Sequence, residues 1–546
     1  MVSKENISAW LDELVRTPSV SGTEDENLGA LKAYEIIGRL PYFQNNPENL
    51  KLIPVENDNL NRNVVSAFVP AAREVRDTII ITGHYDVVGV EEYGHLAQIA
   101  FDIKEITKRV RELSLDGDSI KDLESGDWLF GRGAGDMKYG IALCIEALRY
   151  FSEEAALNAN LLFLGVPGEE TNSEGMLQAV KIIHGLQTRE GLKFRILLNA
   201  ESYCPDETDA DKTRYIHIGS SGKIMPLFLF CGVGTHAGEM PFDGFDANLM
   251  AAKLHERLHH NPDFCQTARG LTTPPPACLK MADLKEMYSI TTPIYAASYY
   301  NLITLDLDVN ELIEKLKKLA LEAFRDAAAL ETRGVRAYEE LTGETPGWAG
   351  AVPKVVMFKD LYEAVKAGYD GDFDLYIKDF TDDLADKGME IQDISIRVVR
   401  ETANFDPDKT PKIVIGFVPP YYPDNYPDEN YEPVRLLRQN MDYIAGYAEK
   451  QYGEALKVKD FYMGISDMCY TGLNGSRTFG ALFDNMPGIG NYYNLPTKEL
   501  EGINVPSIIF GPYAKDLHKC SERLNISYNF DVLPGLFIEF ISKMGG

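Results

Sequence analysis

The residues of this chain with the clearest chemical potential stand directly after short apolar runs. DTIIIT ends in Gly83-His84-Tyr85-Asp86, LLFLGVP in Gly168-Glu169-Glu170 and RILLNA in Glu201, while PSIIFGP leads on to Asp516-Leu517-His518. A further loop, GRGAGDMK (131–138), delivers Asp136 where a helical pattern begins. In open α/β sheets ligands bind beyond the carboxyl ends of the strands, so these positions share one kind of place in a fold. Two imidazoles and several carboxylates gathered there would be costly by themselves, because buried carboxylates without partners repel and take up protons. A divalent cation relieves that cost. Nitrogen and oxygen donors without thiolate suit zinc, and also manganese or cobalt.

Each piece taken alone has a plainer explanation. His84-x-Asp86 also reads as a hydrogen-bonded loop pair. Glu169 and Glu170 read as solvated acids at a helix N-terminus, and Asp136 as an N-cap. Glu201 reads as a loop carboxylate and His518 as a helix-end residue. What favours a metal-centred site is that all of them fall at strand ends or helix starts of the same pattern.

The elements that must position them follow from hydrophobic period. Apolar spacing predicts helices over 5–16 and 27–37, then buried strands at 77–82, 160–167 and 195–200 alternating with helices at 138–152 and 174–185. That alternation means an α/β fold with a mixed, mostly parallel sheet. Near residue 214 the period shifts: RYIHI and KIMPLFLFCGVG look like a hairpin, followed by a helix at 246–260, a strand-like stretch at 287–306 and a helix at 309–332. The expected organisation is a metallohydrolase-type domain (1–212 and 333–546) interrupted by a smaller α+β lid domain (213–332). Apolar runs at 412–418, 460–464 and 505–510, with helices near 431–452 and 531–543, read as the return of the first domain. Residues 333–410 and the Pro/Tyr/Asp segment 419–432 have no placement from pattern alone.

At 546 residues the chain exceeds the size of one core, so at least two domains are expected. A net charge of −29 opposes binding to phosphate backbones or anionic bilayers, which argues against nucleic-acid and membrane partners. Seven cysteines without a CxxC pair suggest neither a disulfide framework nor a thiolate zinc site, and fit a reducing compartment. With no signal-peptide pattern at the N-terminus and no long apolar run, the chain reads as cytoplasmic.

The segments GHYDVV, LFGRGAGDMKYG, VPGEET, NAES and FGPYAKDLHKCSE resemble, in that order, the motifs of the M20 family of dinuclear metallopeptidases and amidohydrolases. The resemblance spans about 1–212 and 455–546, and the intervening lid more loosely. It implies two divalent ions, with Asp136 bridging both, His84 and Glu201 completing one site, and Glu170 and His518 the other. Asp86 would orient His84, and Glu169 would be the general base. In the lid, His236 would bind the substrate carbonyl oxygen, across a homodimer interface in some members, and Asn301 would contact substrate. Arg477 could bind a substrate carboxylate, although a surface arginine reads equally well. The implied reaction is hydrolysis of a peptide or N-acyl amide in a small molecule or short peptide. The long chain and its inserts look like an arginine-utilisation member, implying arginine or ornithine catabolism. Three departures stand out: an insertion containing 96–113, a stretched lid segment FDGFDANLM, and the block 333–455. The rival readings are an aminopeptidase or dipeptidase of the same fold and a non-catalytic metal-binding scaffold, against which the extra acid Glu169 speaks.

Overall fold

The apolar runs become the centre of an eight-stranded sheet in a computed structural model that describes every residue except Met1, 204–212, 239–240, 345–349 and 474–478. The strand order is Leu50–Pro54, Asn63–Val69, Asn160–Val166, Asp77–His84, Lys193–Asn199, Ser507–Ile509, Thr213–Ile218 and Ala455–Lys459. The four strands from Asn160–Val166 to Ser507–Ile509 run parallel, whereas the pairs flanking them join antiparallel. Strand Asp77–His84 is buried along almost its whole length, as expected of a central strand covered on both faces. Helices Tyr139–Glu153 and Leu533–Gly545 pack on it, and Tyr139–Glu153 also packs on helix Lys4–Val15. The fold class is α/β with mixed sheets, as the sequence implies.

Backbone contacts divide the chain into two units, one of Met1–Ser220, Asn425–Asn474 and Pro496–Gly546, the other of Ser221–Asp424 and Gly475–Leu495. These limits differ from those drawn on the sequence in two ways. Thr213–Ile218 makes no hairpin with the apolar run after it. It pairs parallel with Ala455–Lys459 and antiparallel with Ser507–Ile509 in the first unit. The next long run, Pro226–Cys231, lies in the second unit between Tyr295–Thr304 and Lys412–Phe417. A fully buried strand needs a partner on each side, which a hairpin edge does not provide. Residues 333–424, grouped by sequence with the catalytic half, also belong to the second unit. Three helices, Phe358–Gly368, Phe373–Asp386 and Ile391–Phe405, cover one face of its sheet, where Leu227 and Leu229 share a core with Leu361, Val398 and Val399. Helices Ala247–Leu258 and Val309–Thr342 pack on each other in the same unit. No described helix is long and apolar enough to cross a membrane.

Two glycines in the first unit set the spacing at the sheet's carboxyl edge. A Cβ on Gly140, at the start of helix Tyr139–Glu153, would sit 2.2 Å from the Ala200 carbonyl oxygen, and one on Gly511 would sit 2.3 Å from that of Glu201. The main chain at Ala200–Glu201 is thus clasped between the helix start and the loop after Ser507–Ile509. Gly140→Ala should destabilise the protein by about 1–3 kcal/mol, the usual range for overpacking, read as a lower urea midpoint. An unchanged midpoint would mean that helix and strand end can separate freely.

Candidate metal centre

Three of the four parallel strands end at the chemistry. His84 closes Asp77–His84, the turn after Asn160–Val166 carries Glu169 and Glu170, and Glu201 lies two residues beyond Lys193–Asn199. The other two contributors come from loops tied together by a small antiparallel sheet in the order Ala514–Lys515, Arg523–Asn525, Trp128–Phe130. Trp128–Phe130 leads into the loop that carries Asp136, and the hairpin between the first two strands carries His518. That hairpin holds Asp516 and His518 at φ 54° and 67°, left-handed conformations that non-glycine residues seldom adopt. The Asp516 carboxylate steadies it by accepting from Arg523 Nη1 (2.5 Å), Ser521 Oγ (2.9 Å) and Lys519 Nζ (3.0 Å). The Ser202 hydroxyl donates to the Gly135 carbonyl, linking the Glu201 strand end to the Asp136 loop.

The five residues expected as ligands converge. Asp136 turns one oxygen to each imidazole: Oδ1 lies 3.1 Å from His84 Nε2 and Oδ2 3.2 Å from His518 Nε2. Glu201 Oε2 is 3.3 Å from His84 Nε2, and Glu170 is 3.1 Å from His518 Nε2. Donor atoms of His84, Asp136 and Glu170 all lie within 4.8 Å of one another. For metal–ligand bonds of roughly 2.0–2.1 Å the edge of a tetrahedron is about 3.3 Å, so the spacing of these donors fits cation coordination.

Electrostatics make the same point. Burial raises the Glu170 carboxyl to about 7, with repulsion from Asp136 adding to it against the opposing bond to His518. Glu201 is raised by burial and by Asp136, with His84 opposing. Burial works against a charged His84, yet Glu201, Asp136 and Asp86 outweigh it and hold the ring well above its usual range. Bonds to Asp136 and Glu170 lift His518 to about 10. Without a cation the cluster therefore retains protons on its imidazoles. Metal binding takes deprotonated ligands, so a divalent ion fits by replacing those protons.

Glu169 sits at the edge of this set, its Oε2 4.0 Å from His84 Nε2. Burial, followed by the neighbouring acids Asp467, Glu170 and Glu201, pushes its carboxyl well up against the opposing charge of His84. Asp86 does two things. Its main-chain oxygen lies 3.0 Å from His84 Nδ1 and its Oδ1 3.5 Å away, so the ring is oriented chiefly by the backbone. Its carboxylate accepts from the amides of Glu169 (3.3 Å) and Glu170 (3.1 Å), fixing the turn from which the two glutamates diverge.

In the second unit, the half-buried His236 accepts through Nδ1 from the Gly238 amide at 3.2 Å in a largely exposed loop. Asn301 lies on Tyr295–Thr304, and its amide oxygen is buried with no hydrogen-bond partner among the described residues. Arg477 lies outside the described residues. Three residues of the site escaped the sequence reading. Arg132 and Glu522 form a buried ion pair (2.6 Å) behind Asp136. Asp467 is buried with no hydrogen-bond partner for Oδ1 among the described residues, and burial raises it to about 7 although the charge of His84 opposes the shift. Arg132 and Glu522 stand inside motif segments and Asp467 outside them, but only their spatial partners give them meaning.

The model of peptidase family M20/M25/M40 matches residues 80–504. YqjN of Bacillus subtilis (strain 168) is 32% identical over 551 residues, covering 99% of this chain and 97% of that protein. RocB of the same organism is 30% identical over 538 residues, covering 97% and 93%. Among solved structures, the M20 family metallo-carboxypeptidase Sso-CP2 from Sulfolobus solfataricus superimposes with a TM-score of 0.54 at 14% identity, covering 99% of each chain. YXEP of Bacillus subtilis, described as a dinuclear metal-binding peptidase of the M20 family, does so with a TM-score of 0.50 at 12% identity, covering 99% of this chain and 97% of that one. With its strand-end donors and a match of this extent, the chain belongs to peptidase family M20/M25/M40.

Proposed function

We propose that this hydrolase of amide bonds uses two divalent ions, zinc fitting best, to cleave a peptide or N-acyl amide bond in a small amino-acid derivative. The observation that carries the reading is the Asp136 carboxylate, which offers one oxygen to the His84 and Glu201 side and the other to the His518 and Glu170 side. When bound, divalent ions supply Lewis acidity toward water and the scissile carbonyl. Glu169 takes a proton from the attacking water and returns it to the leaving amine nitrogen, a task suited to an acid beside the donors but outside them. Asp86 holds both Glu169 and Glu170 by their amides and so keeps the base apart from the ligand. His236 steadies the negative charge that develops on the carbonyl oxygen, while the unpartnered Asn301 oxygen and Arg477 contact substrate. Likeness to RocB supports a role in arginine or ornithine catabolism, and cysteine usage supports a cytoplasmic setting. A homodimer belongs to the same reading, because Ala277–Asp283 is an edge strand of its sheet with Leu279 and Met281 exposed.

Metal analysis of protein prepared without chelator should give about two ions per chain, since five donor residues, one of them a shared carboxylate, exceed one tetrahedral ion. Asp136→Asn should lose both, and His84→Ala or His518→Ala mainly one. A chain that binds no metal under replete conditions refutes the proposal.

Glu169→Gln should keep its metal and fold while turnover falls by about 10²–10⁴-fold. Glu170→Gln should instead lose metal affinity, with activity partly returning at high metal concentration. Equal metal loss in both variants would reverse the assignment of base and ligand.

His236→Ala should lower turnover by roughly 10²–10³-fold with metal content intact. If the histidine acts across a dimer, mixing His236→Ala with Glu169→Gln subunits should restore part of the activity. Full turnover by His236→Ala alone would remove it from the mechanism.

A further inference from the structure

The buried pair Arg132 and Glu522 is separated by 390 positions in sequence, and neither residue belongs to the donor set. A buried ion pair is weak evidence for stability, because desolvating two charges offsets their attraction. What the pair does with its remaining hydrogen-bonding capacity is more telling. Glu522 Oε2 accepts from Arg132 Nη1 at 2.6 Å, while Oε1 accepts from the amides of Gly135 (3.2 Å) and Asp136 (3.4 Å). Arg132 Nη2 donates to the main-chain oxygen of His518 at 3.1 Å and to Glu92 Oε2 at 3.3 Å, and Nε donates to the Gly89 oxygen at 3.0 Å. The Gly131 amide closes the arrangement by donating to the main-chain oxygen of Glu522 at 3.2 Å. Close approach is required here: a Cβ on Gly135 would lie 2.8 Å from Ala514 Cβ.

The pair thus grips two loops that carry different donors. Glu522 holds the backbone from which Asp136 projects, and the Asp136 side chain leaves that backbone with its oxygens 3.1 and 3.2 Å from the two imidazoles. Arg132 holds the backbone of His518, a residue in a left-handed conformation that its surroundings must maintain. We infer that Arg132 and Glu522 are positioning residues for the metal centre, Glu522 setting the orientation of the shared carboxylate and Arg132 the distance from it to His518. This rests on the two-ion reading above. It predicts unequal effects: loss of the Glu522 charge disturbs a donor common to both sites, whereas loss of the Arg132 fork disturbs only the His518 side. Lysine in place of Arg132 keeps the charge but cannot reach Glu522 and the His518 carbonyl together.

The test is a competition titration of Zn²⁺ against a chromophoric chelator on the full chain, following the two binding steps in wild type, Glu522→Gln and Arg132→Lys. Partners of metal ligands typically contribute about 10–100-fold to affinity, so Glu522→Gln should weaken both steps by that amount and Arg132→Lys only one. The weakened step in Arg132→Lys should be the one that His518→Ala abolishes. The double variant Arg132→Met/Glu522→Leu replaces the ion pair with apolar bulk, so it should fold even where a single variant leaves one charge stranded. It should still bind Zn²⁺ weakly at both steps. Wild-type affinity at both steps in the folded variants would overturn the inference, as would equal weakening of both steps by Arg132→Lys. A wild-type chain that takes up no Zn²⁺ would instead bring down the two-ion reading itself.

Discussion

Several carboxylates and two imidazoles share a few ångströms at one edge of the large sheet, and the repulsion among the carboxylates is the condition that the surrounding fold must satisfy. The same carboxylates raise both His84 and His518, so protons on the imidazoles offset part of it. A divalent ion meets it better, because one ion carries the charge of two protons and can satisfy several oxygens at once. The cost of assembling such a cluster is borne by parts of the fold that do no chemistry. Parallel strands bring their carboxyl ends to one edge, two glycines let a helix and a loop close on Ala200–Glu201, and a three-stranded sheet ties the Asp136 loop to the His518 hairpin.

The distinction between two identical neighbours illustrates how backbone geometry assigns chemistry. Glu169 and Glu170 have the same side chain and nearly the same burial, yet one lies 3.1 Å from an imidazole and the other 4.0 Å from a different one. The difference comes from the turn after Asn160–Val166, whose amides both point to Asp86. Successive residues on such a turn diverge, so two identical side chains reach different surroundings without any difference of their own. This also explains why Asp86 is deeply buried without being a donor.

Much of the first unit was legible because its central strands are buried on both faces and therefore spell unbroken apolar runs, as in Ile79–Ile81 and Leu161–Leu164. Polar residues that interrupt the end of such a run are conspicuous, which is why His84, Glu169, Glu170 and Glu201 stood out. Pairing was harder to read than the strands themselves. Thr213–Ile218 and Pro226–Cys231 are close in sequence and both largely buried, and nothing local says that one pairs with Ala455–Lys459 and the other with Lys412–Phe417. The helices of 358–405 were obscured for another reason: amphipathic and rich in Asp and Lys, they show one buried face whose partner is fixed only by the sheet beneath. Arg132 and Glu522 were invisible as a pair, since charge complementarity 390 residues apart leaves no mark on a linear pattern.

The position of Ser507–Ile509 has a bearing on how the protein is made. This short strand lies inside the large sheet, between Lys193–Asn199 and Thr213–Ile218, although nearly all of the chain precedes it. During synthesis its two future neighbours are complete about 290 residues earlier, a delay of tens of seconds at ordinary ribosome speeds of roughly 5–20 residues per second. Until then each presents an apolar edge with open hydrogen-bonding groups, the kind of surface that recruits foreign strands or holding chaperones. The same delay keeps His518 from its partners, so the donor set stays incomplete until Ser507–Ile509 has entered the sheet.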